Sequence, residues 1–158
     1  MTPLALPAAA RRAILAHARR AHPRECCGFL IGTDRLVHFT VPMRNVARGR
    51  TRYRIDPAAH IRLLRVLRAF FPPMGILGVY HSHPEGDARP SPTDVAEAAY
   101  SSWWYLVVGL RSQRPTLKAF RIVGGEAREI AVRIADVSGP GIPGASGAHR
   151  PRRHRARQ

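Results

Sequence analysis

Cysteine, acidic side chains and long apolar runs are all scarce in these 158 residues. The only cysteines are the adjacent pair Cys26 and Cys27, which cannot staple distant parts of a chain and suit a reducing compartment. In a strand, neighbouring side chains point to opposite faces, so at most one of the pair can face a site near Glu25, and both are expected as small buried side chains. No stretch approaches the 18 or so uninterrupted apolar residues of a membrane span. The opening MTPLALPAAARRAILAHARR carries arginines where a secretory signal needs its apolar segment. These features exclude a disulfide scaffold and a helical membrane protein, and they lead us to expect a cytoplasmic location.

Acids number 10 against 26 lysines and arginines, a net charge of +16. Such a balance raises nucleic acid as a partner, so its distribution matters. Residues 138–158, SGPGIPGASGAHRPRRHRARQ, contain arginine but no acid and lack apolar periodicity. They read as a disordered basic Gly/Pro/Arg-rich tail following one domain over residues 1–137. The chain shows no recognition-helix motif, zinc finger or aromatic-studded strand, so nucleic-acid binding through this tail would rest on electrostatics alone.

The remaining pattern alternates helices and strands. Pro7 to Ala21 reads as a helix with Ile14, Leu15 and Ala18 inward, stopped by Pro23. Gly28–Gly32 and Leu36–Val41 read as a strand pair, and Thr51–Ile55 as a further short strand. Asp56-Pro57 opens a second helix, expected to run to Phe71 with Ile61, Leu64, Leu67 and Phe71 inward and Arg62, Arg65 and Arg68 solvated. Gly75–Tyr80 is a buried strand, Pro92–Tyr100 a helix, and Trp104–Leu110, Leu117–Val123 and Ala127–Ile134 are closing strands. The fold class is α/β (α+β): a mixed, mostly antiparallel sheet flanked by helices, with the second helix as a crossover.

Chemistry concentrates in residues 78–94, GVYHSHPEGDARPSPTD. If the strand continues to His83, then His81 and His83 project from one face while Ser82 points away. Two imidazoles at a strand end form half of a metal site, and Asp94 can supply a third ligand if the loop-forming PEGDARP turns the chain back. The same residues admit plainer readings. Ser91-Pro92-Thr93-Asp94 is also a helix start with a serine cap, and a histidine at a strand end is often only hydrogen bonded.

HSHPEGDARPSPTD matches HxHP, six residues, then SxxD, and so resembles the signature of the JAMM (MPN+) metalloprotease family. Upstream, Glu25-Cys26-Cys27-Gly28-Phe29-Leu30-Ile31-Gly32 matches that family's ExxGxLxG stretch. The likeness is to the small stand-alone prokaryotic type, over roughly residues 8–134. It implies an MPN/JAMM domain of cytidine-deaminase-like architecture with Zn2+ held by His81, His83 and Asp94, a water at the open position, Glu25 as general base and Ser91 as oxyanion donor. It also implies hydrolysis of a peptide or isopeptide bond after the Gly-Gly C-terminus of a ubiquitin-like or sulfur-carrier protein. Two other readings stand beside it. One is a catalytically silent MPN-type scaffold, disfavoured because all five residues are present; the other is a basic nucleic-acid-associated protein.

Overall fold

The computed structural model describes residues 2–135; the expected tail at 138–158 lies outside them. Among the described residues, eight strands and three helices follow one another as β1 (Leu4–Pro7), α1 (Ala8–Ala21), β2 (Cys27–Thr33), β3 (Leu36–Met43), α2 (Pro57–Phe70), β4 (Gly75–His83), α3 (Pro92–Ala96), β5 (Trp104–Gly109), β6 (Thr116–Val123), β7 (Glu126–Ile130) and β8 (Val132–Ala135). All eight strands belong to one sheet of order β7-β6-β5-β4-β2-β3-β1-β8. Ladders β2–β3, β2–β4, β5–β6 and β6–β7 are antiparallel, whereas β4–β5, β1–β3 and β1–β8 are parallel. The mixed sheet expected from the helix-strand alternation is therefore present, and α2 is the expected crossover, leaving β3 and returning as β4 on the other side of β2.

The two ends of that sheet are one continuous piece of chain. Only Ala131 separates β7, paired with β6, from β8, paired with β1. The carbonyl of Ala131 accepts the Leu4 N–H at 3.0 Å. The sheet must curl until its edges meet there, which leaves β1 with a partner on each side.

Curling gives the sheet an inner and an outer face. Alternation along the strands sends Leu30, Tyr80, Leu106 and Val108 to the face covered by α1, whose Ile14, Leu15 and Ala18 are buried there as expected. Phe29 and Ile31 point to the opposite face and meet Leu67 of α2. That helix sits rotated from the expected position: Leu67 is its one buried residue, while Ile61 and Phe71 are exposed. The inward row runs through His60, Leu63 and Leu67, spacing i, i+3, i+7, and His60 lies against Phe29 at 4.7 Å between ring centroids.

Three other expectations are corrected, and Leu4–Pro7 is a fully buried strand where no element is expected before Pro7. The closing strand is broken in two at Ala131. Residues 51–55 form only an isolated bridge, Asn45 to Ile55. The third helix ends at Ala96, not Tyr100. The hydroxyl of Tyr105 takes the Tyr100 N–H and donates to its carbonyl, satisfying that peptide outside a helix.

Candidate metal centre and active site

β4 lies between β2 and β5, so its last residues emerge from the middle of the sheet. Val79, His81 and His83 share one face by strand alternation, and Ser82 points the other way. There the Ser82 hydroxyl accepts the Cys26 N–H at 2.9 Å, while Ser82 N–H donates to the Cys26 carbonyl at 3.2 Å. These two bonds tie the end of β4 to the residue after Glu25.

His81 Nε2 and His83 Nε2 stand 3.0 Å apart. Asp94 faces both, with Oδ1 at 3.4 Å from His81 and Oδ2 at 3.2 Å from His83. His83 Nδ1 lies 3.2 Å from the carbonyl of Asp87; a carbonyl only accepts, so Nδ1 carries a proton, and Nε2 faces the cluster, donating to Asp94 when protonated and offering a lone pair when neutral. His81 is 1% exposed, and among the described residues its Nδ1 has no partner. Its ring is instead stacked on Tyr53, 4.5 Å between centroids. Two imidazole nitrogens this close repel unless a proton or a cation lies between them. Two nitrogens and a carboxylate converging within 4.8 Å of one another are the kind of donor set that suits a catalytic zinc, and these residues fit such an ion.

The electrostatics match the geometry. Burial raises the Asp94 carboxyl, but hydrogen bonds from His81 and His83, the charge of His81 and the Ser91 hydrogen bond outweigh it and hold the group far below the usual carboxylate range. Burial lowers both imidazoles. For His81 it prevails, whereas at His83 the hydrogen bond and charge of Asp94, aided by Glu25, win and raise it.

Ser91 caps α3 in a reciprocal box. Its hydroxyl accepts the Asp94 N–H at 3.1 Å, and Asp94 Oδ2 accepts from the Ser91 N–H at 2.6 Å and hydroxyl at 2.7 Å. The helix-start reading is observed, and it is compatible with the ligand reading, since the bonds that cap the helix also fix the carboxylate.

Glu25 precedes β2 and is 6% exposed. Burial, opposed by His83 and reinforced by the negative charge of Asp94, pushes its carboxyl from 4.5 up to about 7, a value suited to taking and returning a proton near neutrality. Its carbonyl accepts Asn45 Nδ2 at 3.0 Å and its N–H donates to the Arg50 carbonyl at 3.3 Å. Cys27 pairs in register with His81, and Cys26 lies on the α1 side. Both are buried and their thiols are pushed up to about 12 and 11, so they are inert packing residues.

All five residues singled out from the sequence are therefore gathered around the end of β4. Asn45, Tyr53, Ser82 and the Asp87 carbonyl were not singled out. A Ser between the two histidines and an Asn among arginines are visible in the sequence, but only the fold shows what they hold.

A curled mixed sheet with a His-His-Asp cluster at the end of a central strand, beside a buried glutamate, is the arrangement of an MPN-type domain. The family model for prokaryotic homologs of the JAB domain matches residues 7–123, and the chain belongs to that family, the small prokaryotic branch of JAMM/MPN domains. It is 38% identical to the CysO-cysteine peptidase of Mycobacterium tuberculosis (strain H37Rv) over 129 residues, 78% of this chain and 86% of that one. Identity to the desampylase of Haloferax volcanii is 36% over 138 residues, 83% and 96% of the two chains. A solution structure from Desulfitobacterium hafniense superposes with a TM-score of 0.76 at 31% identity, covering 84% of this chain and 93% of that one.

Proposed function

We propose that this protein is a zinc-dependent peptidase or isopeptidase that hydrolyses the bond following the Gly-Gly C-terminus of a ubiquitin-like or sulfur-carrier protein, with residues 1–137 as the catalytic unit. The observation that carries this reading is the convergence of His81 Nε2, His83 Nε2 and the Asp94 carboxylate beside buried Glu25. Two relatives named as a peptidase and a desampylase support the reaction class.

Zinc, when bound by His81, His83 and Asp94, supplies Lewis acidity and brings the pKa of a water from 15.7 to about 7. Glu25 takes the proton of the attacking water, and the water oxygen bonds to the scissile carbonyl carbon. As the C–N bond breaks, Glu25 returns that proton to the leaving nitrogen, because an amide anion does not leave unprotonated. Ser91 serves the carbonyl oxygen while it is negative. Its hydroxyl must then turn from Asp94 Oδ2, which keeps the Ser91 N–H as a donor.

The test is metal content together with turnover. Purified protein is expected to carry close to one zinc per chain and to cleave a Gly-Gly-linked carrier fusion, and a chelator should abolish cleavage reversibly. Glu25→Gln should retain zinc and lose roughly 100- to 10,000-fold in kcat. Full-rate cleavage by that variant would overturn the proposal.

A further inference from the structure

The loop between β3 and α2 reads RNVARGRTRYR over residues 44–54, five arginines and no acid. It encloses a cleft of about 500 Å3 lined by Ala47, Arg48, Arg52, Tyr53, Arg54 and Glu97. Tyr53 is the ring stacked on His81, so one wall of the cleft is the back of the metal centre. Glu97 is the one acid in the lining, and it is already paired with Arg52. Among the described residues neither Arg48 nor Arg54 has an ion-pair partner, which leaves two guanidiniums facing solvent around the cleft.

The loop is also built to hold its position. Asn45 Nδ2 donates to the carbonyls of Glu25 (3.0 Å) and Arg52 (2.9 Å), and Asn45 Oδ1 accepts the N–H groups of Ala47 (2.9 Å) and Arg54 (3.0 Å). Val46 N–H donates to the Arg54 carbonyl at 2.8 Å, and Arg24 Nη2 to the Ala47 carbonyl at 2.6 Å. One asparagine therefore fixes the backbone carrying the arginines to the backbone of Glu25. Such a frame suits recognition, since little ordering is left for binding to accomplish.

We propose that this cleft is a carboxylate-binding subsite, in which Arg48 and Arg54 bind an anionic group of the substrate. Two sources share that chemistry: the free α-carboxylate of a residue leaving from after Gly-Gly, or an acidic side chain upstream of it. The inference rests on the peptidase reading above, and the experiment separates the two.

Three synthetic peptides of equal length would be compared. One is neutral around Gly-Gly-Ala with an amidated C-terminus, one has the free C-terminal carboxylate, and one is amidated with two glutamates before Gly-Gly. Binding is measured by calorimetry to zinc-loaded Glu25→Gln protein, and cleavage with unsubstituted enzyme. One acidic peptide is expected to bind about 3- to 10-fold more tightly than the neutral one at low salt, with the difference shrinking as salt rises. Which of the two it is identifies the source. Adding Arg48→Ala and Arg54→Ala should bring the ratio near one, whereas adding Arg62→Ala, Arg65→Ala and Arg68→Ala, on the outer side of α2, should leave it.

Equal binding of all three peptides would overturn the subsite. So would a preference that survives loss of Arg48 and Arg54, or one that falls equally with the α2 triple variant, which would mark a general charge effect. An acid preference lost with Arg48 and Arg54, in a protein that cleaves none of the peptides, would keep the subsite and count against the peptidase reading.

Discussion

Glu25 shows how a single position links folding to chemistry. A carboxyl moved from 4.5 to about 7 by burial is protonated in the folded chain over a range where the unfolded chain has lost its proton. Below pH 4.5 both states are protonated and the group is neutral to stability. Between 4.5 and 7 the unfolded state binds fewer protons, so stability falls as pH rises, by about 3 kcal/mol once both states are ionised. Urea unfolding of the metal-free protein and of Glu25→Gln across this range should show the unsubstituted protein losing about 3 kcal/mol relative to the variant as pH rises; a difference independent of pH would exclude the assignment. Ser91 is separable in the same way. Ser91→Ala should lose about 1 kcal/mol of stability with the helix cap and, if the hydroxyl serves the oxyanion, about 100-fold or more in kcat at little-changed KM. Loss of stability alone would reduce Ser91 to a cap.

At the scale of elements, the ligands depend on close backbone approaches that side-chain chemistry does not reveal. Gly109 ends β5, where a Cβ would lie 2.4 Å from Ala88 N and 2.6 Å from the carbonyl carbon of Asp87. Both are backbone atoms, so the loop from 84 to 90 would have to move. That loop supplies the Asp87 carbonyl that sets the His83 tautomer. Gly109→Ala is therefore expected to weaken zinc binding about 10- to 100-fold and to cost about 1–3 kcal/mol, measured by competition with a chromophoric chelator and by thermal unfolding. Gly75→Ala, where nothing lies within 4 Å of the added carbon, is the control. The sequence carried α1, whose faces differ in polarity, β4, which opens with an apolar run and has no exposed residue, and the His-His-Asp cluster, because its spacing follows from strand alternation and a capped turn. It did not carry what depends on partners distant in the chain. Leu4–Pro7 is four residues with no alternation, and it is a strand because β3 and β8 flank it. Ile61 looks like a core residue of α2 and is 50% exposed, because His60 takes the place against Phe29 and Trp103.

For the whole molecule, the decisive feature is that the last strands close the sheet begun by the first. β8 lies parallel to β1 with Leu4 opposite Val132 and Leu6 opposite Ile134. Leu4 and Leu6 are fully buried in the cluster that also receives α1, Tyr80 and Leu106. Removing β8 would expose the backbone edge of β1 and uncover part of that cluster. A leucine side chain is worth about 1.5–3 kcal/mol when wholly buried, so even partial exposure of both, added to the lost ladder, is large against a typical stability of about 5–15 kcal/mol. The proposed catalytic unit ends at residue 137. A chain ending at residue 137 should therefore unfold within a few degrees of the full protein and bind zinc with the same stoichiometry. A chain ending at Ala131 should lose several kcal/mol and, with β4 no longer held in a closed sheet, much of its zinc affinity. Equal unfolding temperatures for the 131- and 137-residue chains would show that closure through β8 is dispensable, and a 137-residue chain that fails to fold would move the domain boundary into the basic segment.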